Sequence, residues 1–175
     1  GFIGRNLTKR LVQENVQVYG IDVEVAQEHI LSGDGITPLF VDIKNKKQLT
    51  AILKVAKPDV FYHLAWAGVS TDVKNEVGMQ LSNIPLAMSA LEACAETGCE
   101  HIVIPGSASE YAYCGQTIDG QNTPAPGDAY AASKKIGYAS IDFCGLPDNR
   151  MDKLDLLDVV KIVSSFVEKY NPDTV

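Results

Sequence analysis

The feature that most constrains the fold of this chain is an alternation of apolar runs with segments of helical periodicity. Four apolar runs occur, at residues 16–22, 36–43, 59–65 and 101–105. Helical patterns precede the first run and follow the second, third and fourth. Strands that are apolar throughout are typical of a parallel sheet covered by helices on both faces. The sequence therefore predicts an α/β chain with a Rossmann-like, doubly wound parallel sheet.

Helix boundaries follow from proline, glycine and capping residues. The helix that carries Leu49 is predicted to end at Pro58. The next long helix is predicted to begin after Asn83, which would be its N-cap, with Pro85 in the first turn and Gly98 at the end.

Polar side chains follow the carboxyl ends of the predicted strands. Asp22, Asp42, Trp66 and Ser107 each come at or just after the end of an apolar run. Open α/β sheets bind their ligands at this edge. His63 also ends a strand, and as a lone histidine we interpret it as a structural group.

The opening residues Gly1-Phe2-Ile3-Gly4 begin a helical pattern that leads into the first strand. In dinucleotide-binding units, glycines let phosphates approach a helix N-terminus, and an acid after the next strand binds the adenosine ribose. Asp22 lies 18 residues after Gly4, close to the expected spacing of about 20. The strand that should precede the glycines is absent, so we expect the sheet to lack its first strand.

Tyr130 and Lys134 form a Tyr-x-x-x-Lys pair in the last helical pattern of this part of the chain. Residues four apart lie on one helical face, which places an ammonium group next to a phenol. A neighbouring positive charge lowers the pKa of a phenol and suits it to general acid/base work. Ser107 could bind the same substrate oxygen.

The charge and the cysteine pattern exclude several classes of protein. A net charge of −7 argues against nucleic acid or an anionic membrane as the main partner. The four cysteines form no C-x-x-C pair, and the three histidines show no metal-ligand spacing, so no metal site is predicted. Free thiols and the lack of a signal peptide or apolar span predict a cytoplasmic protein.

Together these residues resemble one family. Residues 1 to about 140 are similar to the extended short-chain dehydrogenase/reductases, the NAD-dependent epimerase/dehydratase group. The resemblance rests on the order and spacing of several short motifs. They are Gly1-Phe2-Ile3-Gly4, Asp22, Val41-Asp42-Ile43, His63-Leu64-Ala65, Asn83, Ser107-Ala108-Ser109-Glu110-Tyr111 and Tyr130-Ala131-Ala132-Ser133-Lys134.

The resemblance implies a role for each matching residue. Tyr130 would be the general acid/base, Lys134 would hold the nicotinamide ribose, and Ser107 would be the serine partner. The residues implied in cofactor binding, apart from Tyr130 and Lys134, are Gly1, Phe2, Ile3, Gly4, Asp22, Asp42, Ile43, Ala65, Trp66, Ala67 and Asn83. An acid at Asp22 would repel a 2′-phosphate, so NAD is favoured over NADP.

The implied reaction is hydride transfer at a carbon of a nucleotide sugar, by a homodimeric enzyme. Epimerisation, dehydration and net reduction all remain open. The alternative hypotheses are a cofactor-binding module without catalysis and an inactive fragment, because the family continues into a substrate domain that this chain lacks.

Residues 141–175 predict a tail with one amphipathic helix, foreign to the first family. Within it, Gly145 to Arg150, a helix and Pro172 to Val175 resemble an internal piece of the zinc-dependent N-acetylglucosaminyl deacetylases of the PIG-L type. The metal motif of that family does not occur, so a deacetylase component is disfavoured. We interpret residues 1–140 as a partial NAD-binding Rossmann-like domain, joined to the tail by gene fusion or misjoining.

Overall fold

The computed structural model describes residues 1–23, 32–111 and 125–135. In chain order the elements are α1 (Phe2–Gln13), β1 (Val18–Asp22), β2 (Ile36–Phe40), α2 (Lys46–Ala56), β3 (Val60–Tyr62), α3 (Val77–Thr97), β4 (His101–Val103), a 3₁₀ turn (Ala108–Tyr111) and α4 (Ala129–Lys135). The tail predicted for residues 141–175 lies outside the described residues.

The strands of the described residues pair in parallel, as predicted. β1 pairs with β2, from Val18 opposite Ile36 to Asp22 opposite Phe40. β3 pairs with β4 in the same way. The strands are shorter than the apolar runs, and Asp42 therefore lies in the turn after β2 rather than at a strand end. Parallel pairing places the ends of β1 and β2 at one edge, and those of β3 and β4 likewise.

Two apolar clusters hold these layers together. In the first, α2 and α3 pack against residues of the strands and their extensions; its buried members are Val41, Ile43, Leu49, Leu53, Phe61, Ala90, Ala93 and Cys94. In the second, Leu7 and Leu11 of α1 pack with Val18 of β1 and with Tyr62 and Leu64. Helix α1 thus contacts both pairs of strands.

Asn45 caps the start of α2, and α2 and α3 end where the sequence predicts. Asn45 caps α2, since its Oδ1 accepts a hydrogen bond from the Gln48 amide at 3.3 Å. Lys57 ends α2 in a left-handed conformation directly before Pro58. Gly98 ends α3 with a φ of 76°, a conformation that glycine adopts without strain.

The predicted start of α3 is wrong. The helix begins at Val77, so Asn83 and Pro85 are in its interior and Asn83 is not an N-cap. The Asn83 side chain instead bonds the backbone of Ala67, 16 residues away. Pro85 lies on the exposed face of the helix, where water can hydrate the carbonyl that proline leaves without an amide donor. Tertiary contacts thus override the local preference.

Within the described ranges, we find no helix that combines the length and apolar character needed to cross a membrane.

Replacing Leu49 by Ala should lower the free energy of unfolding by about 3 kcal/mol, because its side chain is fully buried in the first cluster. Val55 is the matched control on the same helix. Its side chain is 85% exposed, and Val55→Ala should cost less than about 0.5 kcal/mol. Urea unfolding measures both changes. Equal losses in the two variants would contradict the described packing of α2.

His63 directly follows β3 and is only 1% exposed. Its ring lies edge-on to Trp66 at 6.3 Å, and neither ring nitrogen has a hydrogen-bond partner among the described residues. Burial, helped by the charge of Lys134, lowers the pKa of His63 from 6.5 to about 4. The imidazole is therefore neutral at pH 7, consistent with a structural role.

The buried His63 should make the protein acid-sensitive. Between pH 6.5 and about 4 the unfolded chain takes up a proton at this residue and the folded chain does not. The free energy of unfolding should therefore fall by about 3 kcal/mol as the pH drops through this window. His63→Phe should flatten the dependence, and His101→Phe should preserve it. Urea unfolding at a series of pH values measures the slope; the same slope in His63→Phe would refute the assignment.

Candidate functional site

The two predicted aspartates lie near the carboxyl ends of β1 and β2. Asp22 is half-buried, and its Oδ1 accepts a hydrogen bond from the Val23 amide at 2.8 Å. Asp42 is exposed, and its Oδ1 accepts from the Lys44 amide at 3.0 Å. Both carboxylates are thus oriented by backbone amides. Each has further oxygen capacity for hydroxyl groups of a ligand.

Ile43 differs from its neighbour Asp42 in that its side chain belongs to the first apolar cluster. Its carbonyl also accepts a hydrogen bond from Ser89 Oγ at 2.7 Å. The residue therefore anchors the turn after β2 to α3. A direct contact with a cofactor stays a prediction for Ile43.

The glycine-containing segment forms the start of α1. Gly1 is the N-cap, no side chain caps the helix, and the first turn holds no acidic residue. The side chains of Phe2 and Ile3 are exposed. A Cβ atom at Gly4 would meet Leu64 Cδ1 at 3.6 Å, so this end of α1 lies against the segment after β3. Uncapped amides and the helix dipole suit an anionic group.

The segment after β3 is held by α3. The Ala67 amide donates to Asn83 Oδ1 at 2.8 Å, and Asn83 Nδ2 donates to the Ala67 carbonyl at 3.0 Å. Asn83 is almost fully buried. This paired bond fixes the backbone between Ala65 and Ala67, which leaves the side chains of both alanines exposed. Asn83 therefore supports the loop that the sequence assigns to the cofactor.

Gln80 is a member of this site that the sequence reasoning missed. Its Nε2 donates to the Gly68 carbonyl at 2.7 Å, and its Oε1 accepts from Trp66 Nε1 at 3.4 Å and from Ser133 Oγ at 3.1 Å. The residue lay outside the predicted helix. Had α3 been extended to Val77, the position of Gln80 three residues before Asn83 would have placed both amides on one face.

Lys134 lies at the centre of the site. Its Nζ donates to the Pro105 carbonyl at 3.2 Å and lies 4.0 Å from the centroid of the Trp66 ring. The side chain is buried, and burial lowers the pKa of Lys134 from 10.5 to about 8, although the Glu110 carboxylate opposes this shift. The backbone carbonyl and the ring face together compensate for part of the lost hydration.

Tyr130 occupies the same helix as Lys134, one turn earlier and on the same face. Asp128 fixes the start of this helix, because its Oδ1 accepts from the Ala131 amide at 2.7 Å and its Oδ2 pairs with Lys74 Nζ at 3.2 Å. Tyr130 is half-buried. The phenol and the ammonium are therefore carried by one short, anchored helix, as predicted.

Ser107 lies after β4, two residues beyond the carbonyl that binds Lys134. Its amide donates to Glu110 Oε1 at 2.6 Å, and its Oγ accepts from the Ser109 amide at 3.3 Å. Glu110 is almost fully buried, and burial raises the pKa of its carboxyl group. These bonds hold the Ser107 turn in a defined conformation beside α4.

Across the described parts of the chain, histidine, cysteine and carboxylate side chains form no group of three or more that could hold a metal ion. The polar groups of the site are instead an ammonium, a phenol, a hydroxyl and two aspartates. Such groups suit proton transfer and hydrogen bonding to an organic ligand.

Known proteins of solved structure share this fold. The enzyme WbmG of Bordetella bronchiseptica, solved in complex with NAD and UDP, superposes with a TM-score of 0.64 at 20% identity. The UDP-Glc/GlcNAc 4-epimerase of Campylobacter jejuni gives 0.66 at 17% identity. The UDP-glucose 4-epimerase of Brucella ovis, solved with NAD, gives 0.66 at 21%.

These similarities extend over 77% of this chain and over 44%, 43% and 42% of the three solved chains, respectively. The chain thus spans less than half the length of the structures that it matches. They confirm the predicted Rossmann-like α/β fold.

A sequence comparison identifies the family directly. The profile of the NAD dependent epimerase/dehydratase family matches residues 1–142, which is most of the chain. This range contains every element described above, from the glycines of α1 to the Tyr130–Lys134 helix. The chain belongs to the NAD dependent epimerase/dehydratase family.

Proposed function

We propose that this chain carries the NAD site and the acid/base residues of a nucleotide-sugar epimerase, dehydratase or reductase. The observation that carries the proposal is the buried Lys134 ammonium, one helical turn from Tyr130 and hydrogen-bonded to the strand end that leads to Ser107. Lys134 belongs to neither of the two apolar clusters, so its burial is not explained by packing of the core. A buried cation one helical turn from a tyrosine is an arrangement suited to proton transfer.

The residues at the strand ends fit a dinucleotide. The uncapped start of α1, at Gly1 to Gly4, would hold the pyrophosphate, and Asp22 would accept hydrogen bonds from the adenosine ribose. Asp42 and the backbone of residues 65–67 would border the adenine and nicotinamide halves. The bound cofactor supplies a carbon that accepts and returns a hydride.

The acid/base chemistry belongs to Tyr130. Its phenolate takes the proton of a sugar hydroxyl as the hydride leaves the same carbon, and the phenol returns a proton in the reverse direction. The positive charge of Lys134 stabilises the phenolate. Ser107, held by its bonds to Ser109 and Glu110, would donate a hydrogen bond to the same sugar oxygen.

The family and the solved relatives support a substrate class. UDP-glucose or UDP-N-acetylglucosamine epimerases are among the proteins that share this fold. We therefore propose a nucleotide sugar as the substrate. The reaction outcome depends on the groups that surround the sugar.

The proposal predicts that NAD quenches the fluorescence of Trp66, the single tryptophan of the chain. We expect saturation at or below about millimolar NAD and affinity for NADP at least about tenfold weaker, because Asp22 would repel a 2′-phosphate. Asp22→Asn should reduce this preference, whereas Asp34→Asn, in the exposed turn before β2, should preserve it. Unchanged fluorescence at millimolar NAD would refute the cofactor site.

Tyr130→Phe should lower the rate of nucleotide-sugar turnover by at least about 100-fold while changing the Kd for NAD less than about twofold, because only the acid/base hydroxyl is lost. Tyr19→Phe, at a half-buried tyrosine of β1, is the matched control and should retain the rate. Turnover is followed by chromatographic separation of the nucleotide-sugar product from the substrate. Wild-type rates in Tyr130→Phe would contradict the assigned role, and NAD binding without any turnover in the wild type would favour a binding module.

A further inference from the structure

The buried side chain of Gln80 lies where three parts of the site meet. It is 1% exposed and is not one of the residues that the family resemblance singles out. Its amide connects helix α3 to the loop after β3 and to helix α4. Since the residue is deep in the protein and its amide is hydrogen-bonded through both its nitrogen and its oxygen, the arrangement defines one orientation of the side chain.

The nitrogen of the Gln80 amide donates a hydrogen bond, and its oxygen accepts hydrogen bonds from other residues. Nε2 donates to the Gly68 carbonyl at 2.7 Å. Oε1 accepts from the indole of Trp66 at 3.4 Å, from Asn83 Nδ2 at 3.3 Å and from Ser133 Oγ at 3.1 Å. A carboxylate could not donate to Gly68, and an apolar side chain could make none of these bonds.

Two of the three groups that donate to the Gln80 oxygen, Trp66 and Ser133, are next to the Lys134 ammonium. The Trp66 ring lies 4.0 Å from Lys134 Nζ, and Ser133 directly precedes Lys134 on α4. The Gln80 amide thus orients the Trp66 ring against the ammonium, and it also holds helix α4, which carries Lys134. Ser133 Oγ shares its single hydrogen between Gln80 Oε1 and the Tyr130 carbonyl at 2.8 Å, which joins Tyr130 to the same network.

Gly68 shows how closely the loop approaches Gln80. A Cβ atom at this position would come within 2.6 Å of Gln80 Nε2 and of Met79 Sδ, and its φ of 70° also favours glycine. The loop therefore packs directly on the start of α3. This close contact gives the amide a fixed partner on the loop side.

We propose that Gln80 is a positioning residue, which holds Trp66 and helix α4 in register so that Lys134 and Tyr130 face the cofactor together. The catalytic purpose of this arrangement rests on the proposed function, whereas the positioning itself can be tested without any ligand. Gln80 touches neither reacting atoms nor cofactor in this account.

The test is the pKa of Lys134, measured by NMR on the full chain with ¹³C-labelled lysine and assigned by the signal lost in Lys134→Arg. In the wild type we expect a value of about 8. The other titratable groups that influence this site are His63 after β3, Glu110 in the 3₁₀ turn and Tyr130 on α4 itself. Gln80→Met keeps the size and the apolar stem but releases Trp66 and Ser133, so water should reach the ammonium and the pKa should rise above about 9.

Two controls and a second variant of the network separate positioning from a general loss of stability. Gln48→Met makes the same change on the exposed surface of α2 and should leave the Lys134 pKa near about 8. Leu49→Ala destabilises the core without touching the network and should also leave it there. Ser133→Ala removes one of the bonds to Gln80 and should give a smaller rise, which tests the idea even if Gln80→Met fails to fold.

The outcomes separate this inference from the proposed function. A Lys134 pKa that stays near about 8 in both Gln80→Met and Ser133→Ala overturns the positioning role, whether or not NAD binds. An equal rise in Leu49→Ala also overturns it. If the pKa rises only in the network variants while the wild type fails to bind NAD, the positioning role stands and the proposed function fails.

Discussion

The arrangement of this site depends on the burial of the Lys134 ammonium. A cation removed from water loses several kcal/mol of hydration energy, and the protein must supply polar partners in return. Here the partners are the Pro105 carbonyl and the face of Trp66. No carboxylate of the described residues forms an ion pair with it, and the proposed function uses this charge to stabilise the Tyr130 phenolate. Burial destabilises the charged form of Lys134 relative to the neutral amine, and the pKa of Lys134 is lowered for this reason.

The other residues of the site contact the Lys134 ammonium or hold the residues that contact it. The strand end after β4 presents the carbonyl, the loop after β3 presents the indole, and α4 presents the lysine. Asn83 and Gln80 of α3 join the loop to the helix through buried amide bonds. Because several elements contribute one bond each, the geometry depends on their register. Packing in the two apolar clusters fixes this register.

The sequence was a good guide to features that local chemistry determines. Apolar runs predicted the parallel strands, and Pro58 and Gly98 marked the ends of α2 and α3. The Tyr130–Lys134 spacing placed two chemical groups on one helix. Family membership follows from the same motifs, since residues 1–142 match as a set.

Features that depend on distant contacts were not predictable in the same way. The rule that places proline in a first helical turn led to a predicted start of α3 that is seven residues too late, so Gln80 fell outside the predicted helix. Ile43, adjacent to an exposed aspartate, lies in the apolar core because α3 packs over it. In both cases tertiary packing determines the structure, and a single sequence does not reveal which distant residues will be in contact.

The proposed function requires that the carboxyl edge around Lys134 form one dinucleotide site. The most direct test is to map backbone amide and indole chemical shifts of ¹⁵N-labelled protein as NAD is added. We expect the shifts to concentrate in the starting turn of α1, at Asp22, in residues 65–67 and at the Trp66 indole. Shifts confined to other surfaces, such as the exposed face of α2 around Val55, would contradict it.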